Sequence, residues 1–159
     1  MKQATIRSLN ISEEKGTIKT PLDSVVIDKT GVMGDAHAGY WHRQVSMLGV
    51  ESLKKAEKQN QRKFKAGDFG ENITTEGIEL HKTDILDRFQ CGDVVLEVTQ
   101  IGKKCHTGCE IMQTVGSCIM PVEGIFCRVL QTGKLQIGDV LIYIPKQVKI
   151  LVVTLSDRE

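Results

Sequence analysis

The segment 102–109, Gly-Lys-Lys-Cys-His-Thr-Gly-Cys, places two thiols, an imidazole and two ammonium groups within eight residues. A thiolate is the form of cysteine that attacks electrophiles and binds metals, and nearby positive charge lowers the pKa of a thiol. Cys105 lies between Lys104 and His106, so it is the best candidate for a nucleophile or a metal ligand. Free cysteines are also common core residues, and for Cys109 both interpretations stay open.

The remaining cysteines are poorer candidates for chemistry. Cys91, Cys118 and Cys127 lie among glutamine, glycine and apolar residues, which is typical of core or turn thiols. A structural zinc site usually takes two close ligand pairs, each separated by about two to four residues. Eight residues separate Cys118 from Cys127, so this spacing makes a zinc-binding β-domain a weaker alternative.

A second polar cluster spans residues 34–44 and holds an acid, two imidazoles, a guanidinium and an amide. Such a density of polar groups costs free energy unless the groups bind each other or a ligand. The planar guanidinium of Arg43 suits a phosphate or a carboxylate. The alternative is a loop that Asp35 and Arg43 only tie down.

The glycine-rich segment 67–72 offers a weaker signal. Its backbone N–H groups can form a nest for an anion, although Asp68 and Glu71 oppose an anion on the same side. A plain turn is the alternative. His81, among polar neighbours, is expected at the surface.

Short β-strands with glycine turns must position these groups. Alternating or β-branched apolar runs predict strands at 2–11, 24–28, 44–48 and 84–86 and one within 67–77. Two further strands are predicted in the stretches 89–98 and 135–144. These two stretches resemble each other, because each has a Gly-Asp turn before its apolar run. Helical spacing predicts a helix at 50–59 and a second short one at 123–130. Many strands and one or two short helices indicate a mostly-β barrel or folded sheet.

The composition of the 159-residue chain fits one globular domain with a sizeable core. A net charge of +1 and 4% aromatic residues argue against a nucleic-acid partner or an anionic membrane surface. The first residues lack the apolar region of a signal peptide, and no apolar run is long enough to span a membrane. An odd number of cysteines, five, favours free or metal-bound thiols in a reducing cytoplasm.

Four blocks in order resemble the MOSC domain, the C-terminal domain of molybdenum cofactor sulfurases. They lie at 34–44, 69–77, 92–106 and 116–130, and the resemblance covers about residues 2–145. It implies a β-barrel and a single functional cysteine, matched here by Cys105. In the family that cysteine carries sulfur as a persulfide, or it ligates molybdenum of a bound pterin cofactor, molybdopterin.

The resemblance also implies a role for each of the candidate residues. Lys103, Lys104 and His106 are expected to hold Cys105 as thiolate. The pterin phosphate is expected to be bound by the polar cluster and the glycine-rich loop, through His37, Arg43, Gly70 and Asn72.

A pyridoxal-phosphate-dependent cysteine desulfurase, or another cofactor-assembly enzyme, is the expected partner. In the large sulfurases that desulfurase is fused in the same chain. A molybdopterin-dependent reductase of N-hydroxylated compounds is an alternative activity, although the chain shows no flavin or iron–sulfur motif.

The chain is expected to divide at residue 147. Residues 1–147 would form the MOSC domain. The tail 148–159 resembles the first strand of a molybdopterin adenylyltransferase domain, and the alternative is a last barrel strand with a charged end.

Overall fold

Eleven strands and three α-helices make up the part of the chain that the computed structural model describes, residues 2–104, 110–116 and 118–147. The strands are β1 (Gln3–Ile11), β2 (Thr20–Leu22), β3 (Ser24–Asp28), β4 (Gly31–Val32), β5 (Val45–Gly49), β6 (Ile73–Glu76), β7 (Arg88–Cys91), β8 (Val94–Ile101), β9 (Ile125–Gln131), β10 (Gly133–Gln136) and β11 (Val140–Ile144). The helices are α1 (Val50–Asn60), α2 (Glu110–Val115) and α3 (Met120–Glu123), with a 3-10 turn at Leu80–Lys82. The tail 148–159 lies outside the described residues.

Seven strands close into a barrel in the order β1, β6, β5, β9, β8, β7, β11 and back to β1. The closing pair joins Gln3–Thr5 to Val140–Ile142, antiparallel. Within this ring only β5 and β6 run parallel. The prediction of a mostly-β barrel is confirmed.

Alternation along β1 shows how the sequence specifies the barrel. Ala4 and Ile6 are fully buried, whereas Gln3 and Arg7 are exposed, as a strand with one face on a core requires. The pairing of β1 with β6 shifts register between Ile6 and Ser8, and this irregularity turns Leu9 into the core.

Two apolar clusters fill the molecule. The first fills the barrel and extends to the small sheet β10–β3–β4 through Val25, Ile27 and Leu135. The second joins α1, α2 and α3 to the barrel through residues such as Leu53, Phe69 and Phe126. Among the described helices the longest, α1, has 11 residues, and none is long and apolar enough to cross a membrane.

Two sequence predictions of local structure are wrong. Residues 123–130 contain a strand, because Ile125–Gln131 pairs with both β5 and β8 and only four residues before it are helical. Residues 84–86 form a turn in which Leu86 takes a left-handed backbone, φ 77°.

The other predicted elements are present, with bounds that agree within about three residues. The helix at 50–59 is α1, which ends at Gln61 in a left-handed cap whose N–H donates to the carbonyl of Glu57. Both Gly-Asp turns occur, with φ 55° at Gly92 and 91° at Gly138. Besides α1, the structure contains the short α2 and α3.

Candidate functional site

A buried ion pair that the sequence does not predict lies at the centre of the candidate site. The Nζ of Lys19 is 2.7 Å from Oδ1 of Asp35, and both side chains are fully buried. The same ammonium donates to Oγ of Ser12 at 2.9 Å and lies 3.2 Å from Nδ1 of His37. Asp35 and His37 belong to the polar cluster 34–44, so Lys19 provides a partner from outside this cluster for both of them.

Backbone groups also hold Asp35 in its charged form. Its Oδ1 accepts from the N–H of Ser12 at 3.1 Å, and its Oδ2 accepts from the N–H of His37 at 3.0 Å. Burial alone would raise the pKa of Asp35, but the hydrogen bonds from His37 and Lys19 hold it well below its usual range. Burial lowers the pKa of Lys19, against the opposing attraction of Asp35.

An aromatic and cationic stack extends from this pair. The ring of Trp41 is nearly parallel to that of His37, with centroids 6.3 Å apart, and its Nε1 donates to the His37 carbonyl at 2.8 Å. The Arg43 guanidinium lies between two aromatic rings, 4.7 Å from the centroid of Trp41 and 5.6 Å from that of Phe126. The Nε of Arg43 is buried and has no hydrogen-bond partner among the described residues.

Lys103 reaches the same place from the end of β8. The N–H of Gly102 donates to the carbonyl of Gly124 at 2.7 Å, and that of Lys103 to the carbonyl of Pro121 at 3.1 Å. The Nζ of Lys103 lies 5.8 Å from the ring centroid of Phe126. The backbone before Cys105 is therefore fastened to α3 and the residue after it.

The glycine-rich loop supports the site from within the protein. The Asn72 amide donates to the carbonyl of Asn10 at 3.1 Å and accepts from the N–H and hydroxyl of Ser46 at 3.0 and 3.1 Å. The carbonyl of Gly70 accepts from the same hydroxyl at 3.2 Å. The carbonyl of Gly67 accepts from the N–H of Lys19 at 2.9 Å, which couples the loop to the buried ion pair.

Glu71, in the same loop, is fully buried. Burial raises its pKa to about 7. Its Oε1 accepts from the N–H of Gly67 and, at 3.2 Å, from the hydroxyl of Thr74, whereas Oε2 has no partner within the described ranges. Because this carboxyl is partly protonated near neutral pH, it opposes an anion less than the sequence indicates.

Two neighbours of these residues serve other contacts. Gln44 donates from Nε2 to the carbonyls of Lys29 and Gly39 and accepts from the N–H of Val129, which ties the polar cluster to β9. His42 lies 2.8 Å from the amide oxygen of Gln100 through its Nε2.

His81 is half-buried, and its Nδ1 lies 3.3 Å from the buried carboxylate of Glu123. With 22% of its side chain exposed, His81 is at the surface only in part. Glu123 also accepts from the hydroxyl of Ser52 and the ammonium of Lys55, and it thereby anchors α3 to α1.

The described cysteines fit the interpretation of core or turn thiols. Cys127 is fully buried, and burial raises the pKa of its thiol far above the ordinary value. Cys91 is half-buried, and its pKa is raised by burial and by Asp139. Cys118 is also half-buried. Within the described ranges no group of three His, Cys, Asp or Glu side chains is placed to hold a metal ion.

The structure thus brings together His37, Arg43 and Lys103, with Lys19 and Trp41 added. It leaves Lys104 exposed and uses the Asn72 side chain inside the protein. Cys105, His106 and Cys109 lie outside the described residues, so their roles stay predictions.

The charges of this group favour an anion. Lys19, Arg43 and Lys103 bring three cations together, and Lys15 adds a fourth, 4.9 Å from the ring centroid of Trp41. Against these cations, Asp35 is the buried carboxylate that stays ionised. The arrangement can bind a phosphate or a carboxylate through N–H donors.

Comparisons with solved structures show the same fold. The YuaD protein of Bacillus subtilis is 19% identical, with a TM-score of 0.77 over 91% of this chain and 97% of that one. YiiM of Geobacillus stearothermophilus is 24% identical, with a TM-score of 0.71 over 89% of this chain and 75% of that one. YiiM of Escherichia coli is 20% identical, with a TM-score of 0.64 over 94% of this chain and 73% of that one. No curated protein sequence matches the chain.

The family model of the MOSC domain matches residues 34–142, more than half of the chain. The match begins at the polar cluster and ends in β11, the strand that closes the barrel. The chain therefore belongs to the MOSC domain family.

Proposed function

We propose that this chain acts in molybdenum-cofactor metabolism, with Cys105 as the sulfur carrier or the molybdenum ligand. The observation that carries the proposal is the Arg43 guanidinium, which lies between Trp41 and Phe126 with its buried Nε unpaired in the described part of the chain. A buried N–H donor without a partner is costly, and an anionic ligand would satisfy it.

The residues present fit a pterin cofactor with a phosphate. The phosphate needs charge-assisted N–H donors, and Arg43 and Lys103 would provide them, with Lys19 and Asp35 holding His37 in place. When bound, the cofactor supplies molybdenum for atom-transfer chemistry. The chain's own contribution is to bind the phosphate, to exclude water with Trp41 and to present the thiol of Cys105.

The charge around Cys105 favours its thiolate. Lys103 and Lys104 precede it in the sequence and His106 follows it, and positive charge lowers the pKa of a thiol. The N–H of Lys103, two residues before Cys105, donates to the carbonyl of Pro121, so the chain is held in place just before this cysteine.

Sulfur transfer to Cys105 would balance without an outside oxidant. The Cys105 thiolate attacks the outer sulfur of a persulfide on a pyridoxal-phosphate-dependent cysteine desulfurase. A new S–S bond forms on Cys105, the desulfurase S–S bond breaks, and its electron pair leaves with the desulfurase thiolate. A reducing cytoplasm, which this proposal includes, keeps Cys105 available as a thiol.

The test is Cys105→Ser, with Cys91→Ser as the matched control because Cys91 is a half-buried thiol with a raised pKa. Both proteins are made in a host that synthesises the cofactor, and molybdenum and cyanide-labile sulfur are measured per chain. We expect Cys105→Ser to lose one or both signals and the control to keep them. If Cys105→Ser keeps both at wild-type levels, the proposal is wrong.

Arg43→Gln separates cofactor binding from sulfur carriage. It removes the cation between Trp41 and Phe126 and is expected to lower the molybdenum content several-fold. Labile sulfur on Cys105, loaded by a desulfurase, should persist in this variant. Unchanged molybdenum in Arg43→Gln would contradict the anion site.

A further inference from the structure

A row of side chains crosses the outer face of the barrel, on the neighbouring strands β11, β7, β8 and β9. The strand register places Ile144 beside Arg88, Arg88 beside Glu97, and Glu97 beside Arg128. Their sequence neighbours Phe89, Leu96 and Cys127 point into the core. Because neighbouring residues of a strand face opposite sides, the row lies outside the barrel.

Glu97 orients both arginines of this row. Only 3% of its side chain is exposed, and each of its oxygens is used. Oε1 accepts from Nε and Nη2 of Arg128 at 2.9 and 2.7 Å, and Oε2 accepts from Nε of Arg88 at 3.0 Å. No hydrogen bond within the described residues uses the two Nη groups of Arg88 or Nη1 of Arg128. Glu97 thus holds both guanidinium groups in place, and these N–H donors are left for a ligand.

A cavity of about 560 Å³ lies over the row. Its wall also contains Leu86, Pro145 and Lys146. Arg88, Arg128 and Lys146 carry three positive charges against the one of Glu97, so the cavity has a net positive charge. Its volume is within the range of small-molecule sites, about 300–1,000 Å³.

Leu86 provides a second, independent sign of a ligand site. Its φ of 77° is a rare conformation for a bulky residue, and backbone strain of this kind persists where the surroundings hold it and often marks a functional position. The strain serves no core packing, because 52% of Leu86 is exposed at the cavity. Its N–H donates to the carbonyl of Val98 at 2.8 Å, and the next residue, Asp87, accepts from the N–H of Lys146 at 2.9 Å.

We propose that this cavity binds a small organic anion, with a carboxylate or phosphate on the free guanidinium donors and an apolar body against Leu86 and Ile144. The forks of Arg88 and Arg128 match either oxyanion. Ile144 adjoins Arg88 in the row, so the apolar and cationic surfaces are contiguous, as an amphiphilic anion requires. This site is separate from the cluster around Arg43 and does not rest on the proposed function.

Titration of the full chain with hexanoate, hexyl phosphate and hexanol, followed by amide chemical shifts, tests the proposal. We expect hexanoate or hexyl phosphate, or both, to shift the resonances of Leu86, Arg88 and Arg128, and hexanol to bind at least about tenfold more weakly. A response to one anion alone identifies the head group. No shift with either anion at millimolar concentration, or equal binding of hexanol, overturns the proposal.

Two variants and a control sharpen the test. Arg128→Gln should weaken anion binding at least about tenfold, as loss of a charge-assisted hydrogen bond does. The control Arg7→Gln breaks an exposed pair with Glu76, and neither residue lines the cavity, so this variant should leave binding unchanged. Leu86→Gly relieves the strained backbone, so this variant is expected to fold, yet to bind hexanoate several-fold more weakly. Wild-type binding by both Arg128→Gln and Leu86→Gly refutes the site.

Discussion

The substitution Asp35→Asn tests whether the buried pair with Lys19 holds the candidate site together. We expect it to lower the free energy of unfolding by about 3–5 kcal/mol, the usual cost of removing one partner of a buried ion pair. The structure favours the full cost, because both side chains are fully buried and their charged atoms are 2.7 Å apart. Asparagine keeps the shape of aspartate, so lost packing contributes little.

A double-mutant cycle isolates the interaction. Lys19→Met should also destabilise the fold, but less, because Asp35 keeps its bonds from the N–H groups of Ser12 and His37. The double variant Lys19→Met/Asp35→Asn carries neither charge, so its cost should fall short of the sum of the single costs by at least about 1 kcal/mol.

Urea unfolding followed by circular dichroism measures the three costs. As a control, Arg7→Gln, which breaks an exposed pair with Glu76, should cost less than about 1 kcal/mol. An Asp35→Asn cost below about 1 kcal/mol, or additive single costs, would refute the reasoning. Because the pKa of Asp35 is lowered on folding, the stability that it contributes is complete above the unfolded pKa of about 4 and is lost on acidification below it. Asp35→Asn should therefore also weaken the acid dependence.

Three further predictions concern the glycine-rich loop and the entry to the Cys105 segment. Burial raises the pKa of Glu71 from 4.5 to about 7. The stability that this carboxyl contributes to the fold is therefore complete below pH 4.5 and is lost as the pH rises through 7. In urea unfolding at pH 5 and pH 8, Glu71→Gln should reduce this loss of stability. Gly67→Ala should lower the free energy of unfolding by at least about 2 kcal/mol, because its Cβ would lie 2.3 Å from the carbonyl oxygen of Lys19 at φ 90°. In the same urea measurement Gly116→Ala, whose Cβ would meet no atom of the described residues within 4 Å, should cost only about 1 kcal/mol. Gly102→Ala would place a Cβ 2.4 Å from a carbonyl oxygen of α3 and should reduce labile sulfur on Cys105 several-fold; full labile sulfur in that variant would contradict the fastening of this segment.

The sequence predicts the barrel because its strands carry local signals. Alternation marks β1, and β-branched residues after a Gly-Asp turn mark β8 and β11. The sequence does not predict β9 as a strand, because its seven residues are a short apolar run that also fits helical spacing. Only its pairing with β5 on one side and β8 on the other decides the matter.

The sequence predicts the loop residues of the candidate site, but it does not predict the buried Lys19–Asp35 pair at its centre. Arg43 and His37 are found because they stand in a dense polar cluster. Lys19 is one of 21 lysine and arginine residues, and its burial against Asp35 follows from the tertiary structure. The orientation of Arg43 likewise depends on Phe126, which is distant in the sequence and belongs to a strand whose residues also fit helical spacing.

The closing pair of the barrel has a consequence for how the molecule folds. Gln3–Thr5 pairs with Val140–Ile142. During synthesis the barrel can therefore close only after residue 142 has left the ribosome. Contacts between such distant residues are slow to form, because loop closure costs entropy before the pairing repays it. Until then β1 keeps an unpaired edge over Gln3–Thr5. A nascent chain therefore exposes a template for wrong strand pairing, and we expect its yield to depend on translation rate and chaperones more than that of a helical protein of equal length.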